Sequence, residues 1–121
     1  MDRKEKKERK EKLSQHMDLS NSRFTDYEIE KLESIVNNQE TLNGQIKTKR
    51  KSYKAFDSED RYNVDEKSTY TFCSDGSKIR IIEDYEKKYD DGQTESSHII
   101  HDTAREILKL ISDVFIKIDS R

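Results

Sequence analysis

The chain has 121 residues, of which 41% are charged and 30% apolar, and its formal net charge is -2. Globular domains typically have about 25% charged and about 45–50% apolar residues, so this length fits one domain with a small core. The composition argues against a membrane helix, which needs about 20 apolar residues. The segment "MDRKEKKERKEK" has no apolar run, which argues against a secretory signal, and the single cysteine, Cys73, cannot form an internal disulfide.

Residues 2–17 predict a charged helix without an apolar face over its first three turns. Acidic residues precede basic ones at i,i+4 spacing three times, which favours an exposed helix. Leu13 is the first apolar residue of this segment. We therefore divide the chain into a charged helical arm, residues 1–17, which is solvated or orders on a partner, and a single α+β domain, residues 18–121.

A second helix is predicted at about 26–43. Thr25 and Glu28 have the spacing of a capping box, in which each residue satisfies the other's backbone N–H. Apolar residues recur at helical spacing after this start, and Gly44 favours a stop.

Two Asp-Gly turns predict a β-meander in the middle of the chain. Asp75-Gly76 suits a two-residue type I′ turn, and that turn would place Phe72 opposite Ile79. A second turn at Asp91-Gly92 would place Lys88 opposite Glu95, in a long hairpin that projects past the core. Residues 45–67 show little pattern beyond a short edge strand at 61–65.

The segment "HDTAREILKLISDVFIKI" predicts the hydrophobic centre of the protein. Its apolar residues follow a three-four spacing from Ile100 to Ile118, and Asp102 or Thr103 can cap the helix. The fold class is therefore α+β, with N-terminal helices, a three- or four-stranded antiparallel β-meander and a C-terminal amphipathic helix packed on the sheet.

No residue pattern predicts catalysis. His98 and His101 have i,i+3 spacing but lack further ligands at metal-site spacing. Cys73 has no neighbouring base, and the carboxylates of residues 57–66 have no strand framework that would bring them to one point. We therefore predict a protein that is not an enzyme and that uses no metal or cofactor.

Two surfaces of opposite charge are candidates for partner binding. The first lies in an acid-free stretch that could contact phosphates and stack on a base; it contains Lys47, Lys49, Arg50, Lys51, Tyr53 and Lys54. The second could mimic a phosphate track and insert tyrosine anchors into a basic groove; it contains Asp57, Glu59, Asp60, Tyr62, Glu83, Tyr85, Glu86, Tyr89, Asp90 and Asp91.

The leading hypothesis uses the acidic surface, because residues 57–121 carry sixteen Asp/Glu against ten Lys/Arg. It predicts a non-catalytic, cytoplasmic protein-interaction module whose partner has a basic groove and handles nucleic acid. Small, Pro-free chains rich in Lys, Glu, Asp and Ile are typical of phage or mobile-element accessory proteins, including inhibitors of host defence. The alternatives are a nucleic-acid-binding accessory factor that uses the basic 47–54 segment, and a structural homo-oligomer that uses spare apolar surface of the C-terminal helix.

Overall fold

The computed structural model describes residues 1–57 and 59–115, and it confirms an α+β fold with four strands. The N-terminal helices are α1 (Arg3–Leu13), α2 (Asp26–Asn37) and α3 (Gln39–Leu42). The strands are β1 (Ile46–Phe56), β2 (Arg61–Ser74), β3 (Ile79–Tyr89) and β4 (Thr94–His101). Helix α4 (Ala104–Leu110) follows and continues into a π-helical turn, Ile111–Phe115. The part of the predicted C-terminal helix beyond Phe115 lies outside the described residues.

The sheet is an antiparallel meander with the strand order β1-β2-β3-β4. Strand β1 was not predicted, because its lysine-rich sequence does not alternate between apolar and polar residues. Strand β2 is also longer than the predicted edge strand at 61–65. Among the described residues, no helix has both the length and the apolar character needed to cross a membrane.

Helix α2 begins as predicted but ends earlier. The Thr25 side chain accepts from the Glu28 N–H, and the Glu28 side chain accepts from the Thr25 N–H, which completes the capping box. Asn38 then interrupts the predicted helix of residues 26–43. Its side-chain amide donates to the Ser34 carbonyl at 2.8 Å, and this local bond competes with regular helix propagation.

The β2–β3 register differs from the predicted one by two residues. Asp75 accepts from the backbone N–H groups of Ser77 and Lys78, so the loop has four residues, 75–78, instead of two. Phe72 consequently lies opposite Ile81 and not opposite Ile79. A shift of two residues preserves the face of every side chain, and Phe72, Ile79 and Ile81 are all buried as expected.

The β3–β4 register differs from the predicted one by a single residue. The N–H of Gly92 donates to the Tyr89 carbonyl, and Gly92 has φ +89°, the geometry of a three-residue loop that ends in a left-handed residue. Lys87, and not Lys88, is therefore opposite Glu95. A shift of one residue also moves the partner side chains to the other face, which places His98 opposite Asp84.

The helices cover one half of one face of the sheet. We call this the front face, and it contains Phe72 and Ile81; the opposite side is the back face. The ring centroids of Phe72 and Phe115 are 6.1 Å apart in an edge-to-face arrangement, at the centre of the core. The other half of the front face projects beyond the helices. Val64 is buried there, outside the main core, with Tyr53 and Tyr89 as its cross-strand neighbours.

Helix α1 contacts α2 along its length, and its C-terminal end enters the core. In its first half, the Lys6 ammonium lies 3.6 Å from the Asp26 carboxylate of α2. The Arg9 guanidinium donates two hydrogen bonds to the Glu33 carboxylate of α2, and Leu13 and Met17 are buried in the core. Asp18 forms a parallel bridge with Thr103, where the chain enters α4. The division at residue 17 stays a prediction, but the last turn of the arm contributes to the core.

Replacement of Ile111 by Asp tests this core. Ile111 is fully buried, so the substitution removes apolar contacts and places a charge in an apolar site. We expect the free energy of unfolding to fall by more than about 4 kcal/mol, measured by urea denaturation. The control Ser112→Asp changes the adjacent exposed position and should cost less than about 1 kcal/mol. Similar free energies of unfolding for the two variants would place the core elsewhere.

Candidate interaction surface

The two outer loops of the meander meet at one end of the sheet. The β1–β2 loop and the β3–β4 turn border a surface cleft of about 400 Å³. Its lining residues are Asp57, Asp60, Arg61, Tyr62, Tyr89, Asp90, Asp91 and Gln93. We call this the tip cleft. The cleft therefore brings together six of the ten residues that were predicted for the acidic surface.

Two carboxylates of the tip cleft, those of Asp57 and Asp91, are held by the backbone of their own turns. Asp57 accepts from the N–H groups of Glu59 and Asp60 at 3.0 and 2.8 Å, and these bonds lower the pKa of Asp57. Asp91 accepts from the Gln93 N–H at 2.9 Å. These side chains favour the turns that present them, as short acidic side chains commonly do. A carboxylate with a lowered pKa stays ionised at neutral pH.

Asp90 joins the two loops. Its carboxylate accepts from the Asn63 N–H at 2.9 Å, and its own N–H donates to the Asn63 carbonyl at 3.2 Å. Asn63 belongs to β2, so this pair of bonds fixes the β3–β4 turn to the strand that follows the other loop. The spacing between the acidic groups is therefore set by the sheet.

Two tyrosines form the front wall of the tip cleft. The ring centroids of Tyr62 and Tyr89 are 5.8 Å apart and their planes are inclined by 51°. The exposed ring of Phe56 lies at the same end of the sheet, with the Arg61 guanidinium 5.4 Å from its centroid. The cleft thus combines fixed negative charge with aromatic surface, the combination that was predicted for a partner-binding site.

The remaining four predicted residues lie elsewhere. Glu59 is in the same loop but does not line the cleft. Tyr85 is in the middle of β3, where its hydroxyl donates to Glu66, and this bond raises the pKa of Tyr85 to about 12. Glu86 is on the back face beside Lys88. Glu83 is largely buried and bound to His101.

The basic segment is an exposed edge strand whose cations are divided between the two faces. Lys47, Lys49 and Lys51 lie on the front face together with Tyr53, and the Lys51 ammonium is 5.2 Å from the Tyr53 ring centroid. Arg50 and Lys54, at the alternate positions, lie on the back face. The structure thus separates two of the six candidate nucleic-acid-binding residues from the other four.

A polar cluster around His101 was missed by the sequence analysis. His101 donates to Glu83 at 2.8 Å through one ring nitrogen and to Glu106 through the other. Glu83 also accepts from Tyr70, and Glu106 from Thr103. A carboxylate beside each ring nitrogen favours the imidazolium, the form in which both nitrogens carry a proton. The spacing of these residues gave no signal, because the cluster depends on the strand register.

The cluster has a different character from a metal site. Because 94–101 is a strand, His98 and His101 point to opposite faces, and His98 contacts Asp84 instead. Within residues 1–57 and 59–115, no group of three or more His, Cys, Asp or Glu side chains is arranged to hold a metal ion.

Comparisons with family models, with curated proteins and with solved structures find no match for this chain. The geometry of these surfaces therefore carries the functional argument.

The His101 cluster predicts a pH-dependent stability. Burial lowers the pKa of His101, but the hydrogen bonds and charges of Glu83 and Glu106 outweigh it, so the folded-state pKa is raised. Its contribution is then fully present below the unfolded pKa of about 6.5 and is lost as pH rises through the folded pKa. His101→Gln should therefore destabilise the protein more at about pH 6 than at about pH 9, measured by urea denaturation.

The control His98→Gln removes an exposed imidazole that has one carboxylate partner, and it should have a smaller effect at both pH values. A His101 effect that grows with pH would contradict this assignment.

Proposed function

We propose that this chain is a non-catalytic protein-interaction module that uses the tip cleft to occupy a basic groove of a nucleic-acid-handling protein. The observation that supports it is the convergence of two separate turns on one cleft. Five carboxylates belong to these turns, Asp57, Glu59, Asp60, Asp90 and Asp91, and one cation, Arg61, lies among them. Such a surface attracts a basic groove and repels nucleic acid.

The backbone hydrogen bonds of three tip carboxylates, Asp57, Asp90 and Asp91, support the same proposal. Carboxylates that are fixed by backbone N–H groups lose little conformational freedom when a partner binds, and preorganisation of this kind increases affinity. Tyr62 and Tyr89 lie beside the carboxylates and supply the aromatic contact area typical of binding hot spots. We propose a cytoplasmic location and a role as a phage or mobile-element inhibitor of host defence, on the general character of the sequence.

Neutralising the tip while keeping its turns tests the proposal. Asparagine keeps the acceptor oxygen that Asp57, Asp90 and Asp91 use, so the tip set is Asp57→Asn, Glu59→Gln, Asp60→Asn, Asp90→Asn and Asp91→Asn. The control set removes the same charge from exposed helical positions: Glu8→Gln, Glu11→Gln, Glu30→Gln, Glu40→Gln and Asp113→Asn.

We expect the tip set to reduce capture of the partner from a host extract at least about tenfold, since loss of close charge pairs typically costs more than 1.4 kcal/mol. The control set should retain capture, and duplex DNA should displace the partner from the wild-type protein. Equal losses in the two sets would show that net charge, and not the tip cleft, drives binding.

A second candidate function is favoured by the alignment of Lys47, Lys49, Lys51 and Tyr53 on the front face. Tyr53 is half-buried. Cations beside aromatic rings on the surface of a sheet are typical of single-strand nucleic-acid binding. The front face also contains Lys87 and Tyr89, whose ammonium and ring centroid are 5.3 Å apart. The nearby carboxylates of Glu66 and Glu95 oppose this function.

Salt dependence separates the two functions. We expect the purified chain to bind a single-stranded oligonucleotide no more tightly than about 10⁻⁶ M at physiological salt, measured by fluorescence anisotropy. If the second function holds instead, Lys47→Gln, Lys49→Gln and Lys51→Gln together should reduce the salt slope by about 0.7 per lysine. The matched control is Arg50→Gln with Lys54→Gln on the back face, which should then matter less.

A further inference from the structure

The back face of the sheet presents apolar side chains that the described helices do not cover. The buried strand residues, Val64, Phe72, Ile79 and Ile81, all belong to the front face. Ile46 and Ile100 are 60% and 53% exposed and belong to the back face. Their register with Thr71 and Ile82 forms one row, Ile46–Thr71–Ile82–Ile100, that crosses all four strands.

Charged residues on the same face form an alternating pattern at the centre of the sheet. Asp65 of β2 is directly opposite Lys88 of β3. Two residues along the strands, the signs are reversed, with Lys67 of β2 opposite Glu86 of β3. The Lys88 ammonium lies 3.2 Å from the Glu86 carboxylate on the same strand, and the two side chains are still 60% and 46% exposed, so this pair is accessible from the back face.

We propose that the back face is the contact surface between two copies of this chain, related by a two-fold axis that runs along the strands between β2 and β3. This operation lays β2 of one copy over β3 of the other. Lys67 then faces the second copy's Glu86, and Asp65 faces the second copy's Lys88. Ile46 faces the second copy's Ile100. A two-fold contact uses the same patch twice, so the patch must be self-complementary.

The edge strands obey the same symmetry. Arg50 faces the second copy's Ser96, Thr48 faces the second copy's His98 and Ser52 faces the second copy's Thr94. Like charges therefore do not meet in the row that begins with Ile46 or in the rows that begin with Thr48, Arg50 and Ser52. Stacked sheets cross at about 30°, and the displacement between facing residues is smallest close to the axis. A crossing of this size inclines the strands of each copy by about 15° to the axis. The two charged rows tolerate this inclination if the axis crosses the β2–β3 seam at a point between the two rows. Opposite-charge cross-strand pairs stabilise the sheet within one copy. Under this axis the same pairs also make the face complementary to itself, which favours a second copy as the occupant.

The size of the face predicts a weak dimer. Four strands at about 4.8 Å spacing and four rows about 6.7 Å apart cover about 500 Å² on each copy, or about 1,000 Å² in total. This area is at the low end of specific interfaces. Because much of the attraction is between exposed charges, added salt should weaken the dimer.

Charge reversal tests the symmetry directly. The positive set is Asp65→Lys with Glu86→Lys, and the negative set is Lys67→Glu with Lys88→Glu. Each set gives the centre of the back face a single sign, so each variant should repel its own copies. In an equimolar mixture, the lysine introduced at position 65 faces the glutamate introduced at position 88, and attraction returns. The control is Lys49→Glu with Lys51→Glu, which makes the same charge change as the negative set but on the front face.

Sedimentation velocity between about 10 µM and about 1 mM measures the outcome. We expect wild type and the front-face control to dimerise, each single set to bind itself at least tenfold more weakly, and the mixture to recover at least tenfold. Thermal melts establish that each variant is folded. A wild-type protein that stays monomeric throughout this range overturns the proposal. A dimer that both charge-reversal sets leave unchanged also overturns the proposal, because the contact would then lie on another surface. A mixture of the two sets that binds no better than either set alone overturns it as well.

Discussion

The packing of the C-terminal helix across half of the sheet determines the rest of the structure. Ile107, Ile111 and Phe115 meet Phe72 and Ile81 there, and α2 and the last turn of α1 complete the same core. The other half of the sheet depends on strand pairing, on the buried Val64 and on the tyrosines around it. Removal of the helical contact would therefore leave a sheet with little apolar surface to bury.

The asymmetry of this packing explains how the charged surfaces arise. A sheet that is longer than its helical cover exposes the β1–β2 loop and the β3–β4 turn at its far end, and short acidic side chains favour such turns. The tip cleft is thus a product of the turn chemistry as well as a candidate binding surface. The proposed two-fold axis runs along the strands, so it would leave both clefts pointing the same way. Two sites that face one direction can act together on a partner that has two grooves.

Local sequence patterns predicted the helix caps, most of the core and the faces of β2 and β3 at the first hairpin, but they did not predict the register between strands. Thr25, Glu28 and Thr103 cap helices as their spacing indicated. The register failed where Asp75 and Gly92 select loops that are longer than two residues, since Asp-Gly is compatible with several loop lengths. A meander places alternate turns at the same end of the sheet, so the proximity of the β1–β2 loop and the β3–β4 turn follows from the predicted topology. The His101 cluster and the alternating charges of the back face could not, because both depend on the register.

The bridge between Asp18 and Thr103 has a consequence for the order of folding. Every strand pairs with the next strand in sequence, so the sheet closes only short loops. The bridge and the hydrogen bond from the Ala104 N–H to the Asp18 carbonyl join segments at opposite ends of the chain. The entropy of loop closure grows with loop length, and contacts between distant segments slow folding. The meander should therefore assemble first, and the docking of the chain's two ends should limit the folding rate.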